Sequence, residues 1–339
     1  MRPAFLVLLV ASTLAGCSAS SPFPAEQGTL PTPSALSAAV VELASPTAES
    51  NGNVQHPSAS AGTTSTPSVA PEAPTFAPSP THAPDSWKTL PVIPEVEEHA
   101  GEIYRLGLQL GRNPRAFSKV GDCGASISWF LGPVDLGAQH YALGLHEYLQ
   151  PVIDQFSGSF GRQSMAARAG FSAASVLSPV WSDLNQCLAD ETPLACEYRL
   201  HNPSYALIML GTNDRWHLED FEEQLRQILE YSIGMGIVPI IGTKGDNFEG
   251  DETINQKIAA LAREYHIPLW NYWRSIQDLP GRGLEADGVH LTWGPLRFDD
   301  ASAMKSAWTM RNLTALQSLD VVWRFVAQTG LAQAPAGTP

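Results

Sequence analysis

The chain reads as a three-layer α/β domain built on a parallel sheet, and three observations predict it. Two uninterrupted apolar runs, 205–210 and 238–242, reach glycine at Gly211 and Gly242 and match strands buried on both faces. Between and after them, apolar residues recur at three- and four-residue spacing with polar residues in the gaps, the pattern of a helix with one apolar face. Segments of the two kinds alternate, and that order places helices over the faces of a parallel sheet.

Each element can be justified in turn. An extended run over 116–121 leads into a turn, and 205–210 forms the next strand. Leu218, Phe221, Leu225, Ile228, Leu229 and Ile233 make the first long helical stripe, and 238–242 follows as strand. Ile254, Ile258, Leu261, Ala262 and Tyr265 make a second stripe, with Asp251 and Thr253 suited to cap its start and Glu252 favoured near its positive end. A strand is expected over 267–272. A last helix over 301–329 carries Leu313, Leu316, Leu319, Val322 and Val326.

The 339 residues do not all belong to that domain. Arg2, the short apolar stretch after it and the tetrapeptide Leu14-Ala15-Gly16-Cys17 have the layout of an export signal. The tetrapeptide resembles a bacterial lipobox, which implies cleavage before Cys17 and lipid on its thiol; an ordinary signal peptide with an incidental cysteine is the alternative. Residues 18–87 are rich in Ser, Thr, Pro and Ala and poor in large apolar side chains, so burial cannot offset their ordering entropy. They read as a disordered tether whose reach, for a coil of about 70 residues, is roughly 45 Å. The folded domain is assigned to 88–339 and expected to be a monomer held to the outer face of a bacterial membrane by lipid alone.

Net charge is -14, and the basic residues form no stripe, which argues against nucleic acid as a partner. Gly242-Thr243-Lys244-Gly245 lacks the spacing of a phosphate-binding loop, and no His or Cys set has zinc spacing. Asp246, Glu249, Asp251 and Glu252 do not fit a calcium loop and read as a solvated loop. Neither metal nor cofactor is expected. Of four cysteines, Cys187 and Cys196 flank a short polar loop in an oxidising setting and are expected to pair. Cys123 is left over as either a small buried hydrophobe or a reactive thiol.

In an open α/β sheet, ligand sites lie beyond the carboxyl ends of strands. Three turns there carry reactive groups: Gly121-Asp122-Cys123-Gly124, Gly211-Thr212-Asn213-Asp214 and Asp287-Gly288-Val289-His290. In this order, with a weaker block at Gly170-Phe171-Ser172-Ala173, they resemble the SGNH (GDSL-like) hydrolase family, with cysteine where the family has its nucleophilic serine.

The resemblance implies a flavodoxin-like fold and an esterase that acts on small-molecule or glycan esters. It implies Cys123 as nucleophile, His290 as general base and Asp287 as the carboxylate orienting the imidazole. The oxyanion donors implied are the backbone N–H groups of Cys123 and Ala173 and the side-chain amide of Asn213. Ala173 stands where the family has glycine. The cysteine leaves three readings open: an active cysteine hydrolase, a non-catalytic surface binding module, or rescue by Ser126 or Ser128. Trp129, Trp216 and Trp293 each follow one of the turns, and serve either core packing or a platform for a sugar ring.

Overall fold

The structure is a computed structural model, and it describes residues 85–332. The export signal, Cys17 and residues 18–84 lie outside the described residues. Trp87, assigned to the tether by composition, is buried and sits edge-on to Trp273 at 4.9 Å. Packing therefore extends slightly further toward the amino terminus than composition indicates.

Helix α1 (Glu98–Gln109) precedes strand β1 (Asn113–Gly121), which leads directly into the one-turn helix α2 (Cys123–Ser126). A long excursion follows, holding α3 (Gln150–Gln155), α4 (Ala173–Val176) and α5 (Pro193–His201). The chain then alternates through β2 (Pro203–Met209), α6 (Leu218–Gly234), β3 (Val238–Gly242), α7 (Thr253–Glu264), β4 (Leu269–Trp270), α8 (Tyr272–Ile276) and α9 (Ala307–Ala332).

The four strands are parallel in the order β1-β2-β3-β4. Every residue of β2 and β3 is buried, as expected of strands covered on both faces. Helices α1, α3, α8 and α9 pack together on one face, and α5, α6 and α7 are the crossovers that cover the other. In a flavodoxin-like sheet a further strand stands beside the first. Here that place is reduced to one parallel bridge, Gly121 with Ala167, closed by Gly121 N–H to Ala166 O and Arg168 N–H to Gly121 O.

The expected helices over 218–233 and 254–265 are α6 and α7. Glu252, not Asp251 or Thr253, occupies the cap position of α7, in a left-handed conformation with an ion pair to Lys88. Asp251 still accepts from Thr253 N–H at 3.1 Å. The strand expected over 267–272 is only two residues long, because Asn271 already caps α8 through Arg274 N–H. The last helix starts at Ala307 rather than 301, after a 3-10 turn over Ala303–Lys305.

Cys187 and Cys196 are joined, tying the loop before α5 to that helix. Closing so short a loop restricts the unfolded chain and contributes about 2.5 kcal/mol in the chain-entropy picture. Reduction of this disulfide is expected to lower the denaturation midpoint accordingly. An unchanged midpoint after thiol titration confirms reduction would refute the estimate.

Candidate active site

The strand-end turns are built by close backbone approach. A Cβ on Gly121 would stand 2.3 Å from Met209 O, so only glycine lets the ends of β1 and β2 meet here. Asp122 then caps α2, its carboxylate accepting from Gly124 N–H at 2.8 Å. Cys123 is the first residue of that turn and is half-buried. Ser126 turns its hydroxyl back toward Cys123 O.

Beneath this turn lies a residue that sequence reasoning missed. Arg311 of α9 is buried, with its guanidinium carbon 5.1 Å from the ring centres of Phe130 and Tyr272 and 5.4 Å from that of Trp308. Its Nη2 reaches Met209 Sδ at 3.1 Å and would stand 2.9 Å from a Cβ on Gly124. Burial pulls its pKa down, and the charges of Tyr272, Asp122 and Cys123 act against that fall. Nothing in local sequence marks Arg311, because its contacts join the last helix to the α2 turn and the end of β2.

The second turn carries Asn213 in a 3-10 segment, where its amide donates to Phe171 O at 2.9 Å. One of its two amide hydrogens is thereby engaged by a backbone carbonyl. Asp214 is buried and accepts from Ala173 N–H at 2.7 Å. The Ala173 N–H that the resemblance assigns to an oxyanion is thus taken by a carboxylate, a departure from the expected oxyanion hole. Asp214 thus fixes that amide, while Ser172 caps α4 by accepting from Ser175 N–H at 3.3 Å.

Among the described residues Asp214 Oδ2 has no hydrogen-bond partner, and burial pushes the carboxyl up to about 6 against the pull of the Ala173, Gly211 and Asp214 backbone N–H groups. Raised above its unfolded value, this group stabilises the fold fully below about pH 4 and loses that contribution as pH rises through 6. Two units correspond to about 3 kcal/mol. Asp214→Asn is therefore expected to flatten the fall in unfolding free energy between pH 4 and pH 8, measured by denaturant titration. Parallel curves for the two proteins would contradict this.

The third turn brings its pair into contact. Asp287 Oδ2 meets His290 Nδ1 at 2.5 Å, while Oδ1 accepts from the N–H groups of Val289 and His290 at 2.9 Å each. The His290 hydrogen bond and then these two amides hold the Asp287 carboxyl down at about 2, so it is ionised throughout the working range. Thr292 Oγ1 accepts from Ala307 N–H at 2.9 Å, fastening this hairpin to the start of α9. One helix therefore buttresses both the His290 hairpin and, through Arg311, the Cys123 turn.

The acidic stretch after β3 is a correction to the sequence reading. Asp246 and the Glu249 side chain are buried, not solvated, because both pair with Lys244 Nζ, at 2.7 and 2.5 Å. Asp246 also accepts from Thr212 Oγ1 at 2.7 Å, locking this loop to the Asn213 turn. Of the three tryptophans, Trp129 packs edge-on to Trp308 at 5.9 Å, whereas Trp216 and Trp293 are 69% and 52% exposed. Among the described residues, His217, Glu219 and Asp220 could bring one metal-ligand atom each within 4.8 Å, all exposed. The sequence showed no ligand spacing there.

No family model and no curated protein matches the chain. Among solved structures it is similar to a lipolytic protein of the G-D-S-L family from Desulfitobacterium hafniense DCB-2, at TM-score 0.37 and 14% identity, over 60% of this chain and 99% of that one. A variant of an acetyl-xylooligosaccharide esterase from Geobacillus gives 0.38 and 13%, over 60% and 93%. A GDSL-like lipase from Bacteroides thetaiotaomicron VPI-5482 gives 0.37 and 13%, over 66% and 98%.

Proposed function

We propose that the chain is an exported, lipid-anchored ester hydrolase of the SGNH type that works through Cys123, His290 and Asp287. The observation that carries this reading is the preassembled Asp287–His290 pair, on a turn fastened to the helix that also supports the Cys123 turn. In the reaction, the imidazole takes the thiol proton and the sulfur attacks the ester carbonyl carbon. The oxyanion is held by Cys123 N–H and the remaining Asn213 amide hydrogen. The alcohol leaves with the proton from His290; water, deprotonated by the same imidazole, then attacks the thioester, the C–S bond breaks to release the acid, and His290 returns the proton to the Cys123 sulfur. Esters of carbohydrates fit the exposed Trp216 and Trp293, whose faces suit a sugar ring.

One observation favours a second reading, a non-catalytic binding module at the cell surface: the Ala173 N–H is engaged by Asp214 rather than open to an oxyanion. Hydrolysis of p-nitrophenyl acetate by the purified protein separates the two. Turnover lost in both Cys123→Ala and His290→Ala supports the hydrolase. Turnover that is absent, or that survives both substitutions, overturns it and leaves the binding module.

A further inference from the structure

Two residues beyond Asn213, Arg215 occupies an unusual place for a cation. Its guanidinium carbon lies 3.0 Å from the ring centre of Phe248 and 3.7 Å from that of Trp216, so the group is clamped between two aromatic rings. Both rings are themselves open to solvent, Phe248 at 40% and Trp216 at 69%. Among the described residues, Arg215 takes part in no ion pair, and its buried Nε has no hydrogen-bond partner. Asp246, the acidic group whose charge bears on it, is already held by Lys244 and Thr212.

The clamp also has a defined location. Arg215 belongs to the loop after β2 and Phe248 to the loop after β3, at the sheet edge where β1 delivers Cys123. Stacked rings cover the faces of a guanidinium and leave its edge, which is the part that pairs with a planar carboxylate through two parallel N–H bonds. Trp216, with one face on the guanidinium, is still 69% exposed and so offers its other face to solvent. An aromatic face next to a fixed cationic fork matches a sugar ring that carries a carboxylate. A dianionic phosphate suits it less, since the exposed Glu219 and Asp220 follow in the next turn of chain.

Resting on the esterase reading above, we propose that Arg215, clamped between Phe248 and Trp216, is a subsite for the carboxylate of a uronic acid residue, so that the ester cleaved belongs to an acylated, uronate-containing glycan. The test uses binding of unesterified probes to the full chain by calorimetry, which reads the subsite without catalysis. Trigalacturonate is expected to bind at least 10-fold more tightly than neutral xylotriose, with an affinity that falls as salt rises. Arg215→Gln is expected to erase that preference, and Arg215→Lys to keep only part of it. Equal affinity for the two trisaccharides, or an Arg215→Gln protein that keeps the preference, overturns the proposal. Glucose 6-phosphate competing with trigalacturonate more strongly than galacturonate does would overturn the carboxylate assignment. Uronate preference without p-nitrophenyl acetate turnover sinks the esterase and spares the subsite, whereas turnover without uronate preference does the reverse.

Discussion

Asp287→Ala is expected to lower kcat/KM for p-nitrophenyl acetate by about 10³-fold or more, the scale on which triad members act. The substitution removes three acceptor contacts at once: those from His290 Nδ1, His290 N–H and Val289 N–H. The imidazole then loses both its tautomer and its orientation. Asp287→Asn carries a second, sharper expectation. In a serine triad an amide there imposes the wrong tautomer and costs about 10⁴-fold, whereas Cys-His-Asn arrangements work elsewhere because a thiolate–imidazolium pair needs only orientation. The asparagine protein should therefore retain at least about ten times the activity of the alanine protein. Equal losses in steady-state assays of the two would mean that Cys123 is deprotonated only during attack, as a serine would be.

Glu197→Ala is expected to lower the unfolding free energy by about 3–5 kcal/mol, the cost of removing one partner from a buried ion pair. The Glu197 side chain is fully buried at the junction of three segments. It accepts from Ser118 Oγ of β1 at 2.6 Å and from Met165 N–H at 2.8 Å, and Arg162 Nη1 stands 2.7 Å away. His201, one turn along α5, lies 3.6 Å away. Without the carboxylate, the hydroxyl, the amide and the guanidinium all lose a partner in a place water enters poorly. Glu197→Gln, which retains the shape and an acceptor, should lose less. Urea titration yielding less than about 1 kcal/mol for the alanine variant would show that the site relaxes to admit water.

Much of the frame could be read before any coordinates. Strands β2 and β3 declare themselves because a strand covered on both faces has no polar alternation to confuse it. Helices α6 and α7 show because one face is buried and the other wet. Helix α1 was harder to see, since Ala100 and Gly107 on its buried side are too small to mark a stripe. Gly107 is needed there, as a Cβ would stand 2.1 Å from Gly236 O. In the site, Asp287 and His290 were legible because three residues of spacing bring them together locally. The Ala173–Asp214 hydrogen bond and Arg311 were not, because each joins segments distant in sequence that only the fold sets side by side; the Lys244 pairs lie within one loop, but nothing in the order of its residues shows that the loop is buried.

The short Cys187–Cys196 loop also bears on how the chain survives oxidation. Cys123 lies 64 residues before Cys187 and 73 before Cys196, while the two partners are only 9 apart. In a chain still unfolded, the chance of two thiols meeting falls roughly as the three-halves power of their separation, which favours the native pair about 20-fold over either mispairing. The local bridge is thus the kinetically preferred product in an oxidising compartment. Once it has formed, neither Cys187 nor Cys196 is a thiol that could pair with Cys123, which lies outside any disulfide among the described residues.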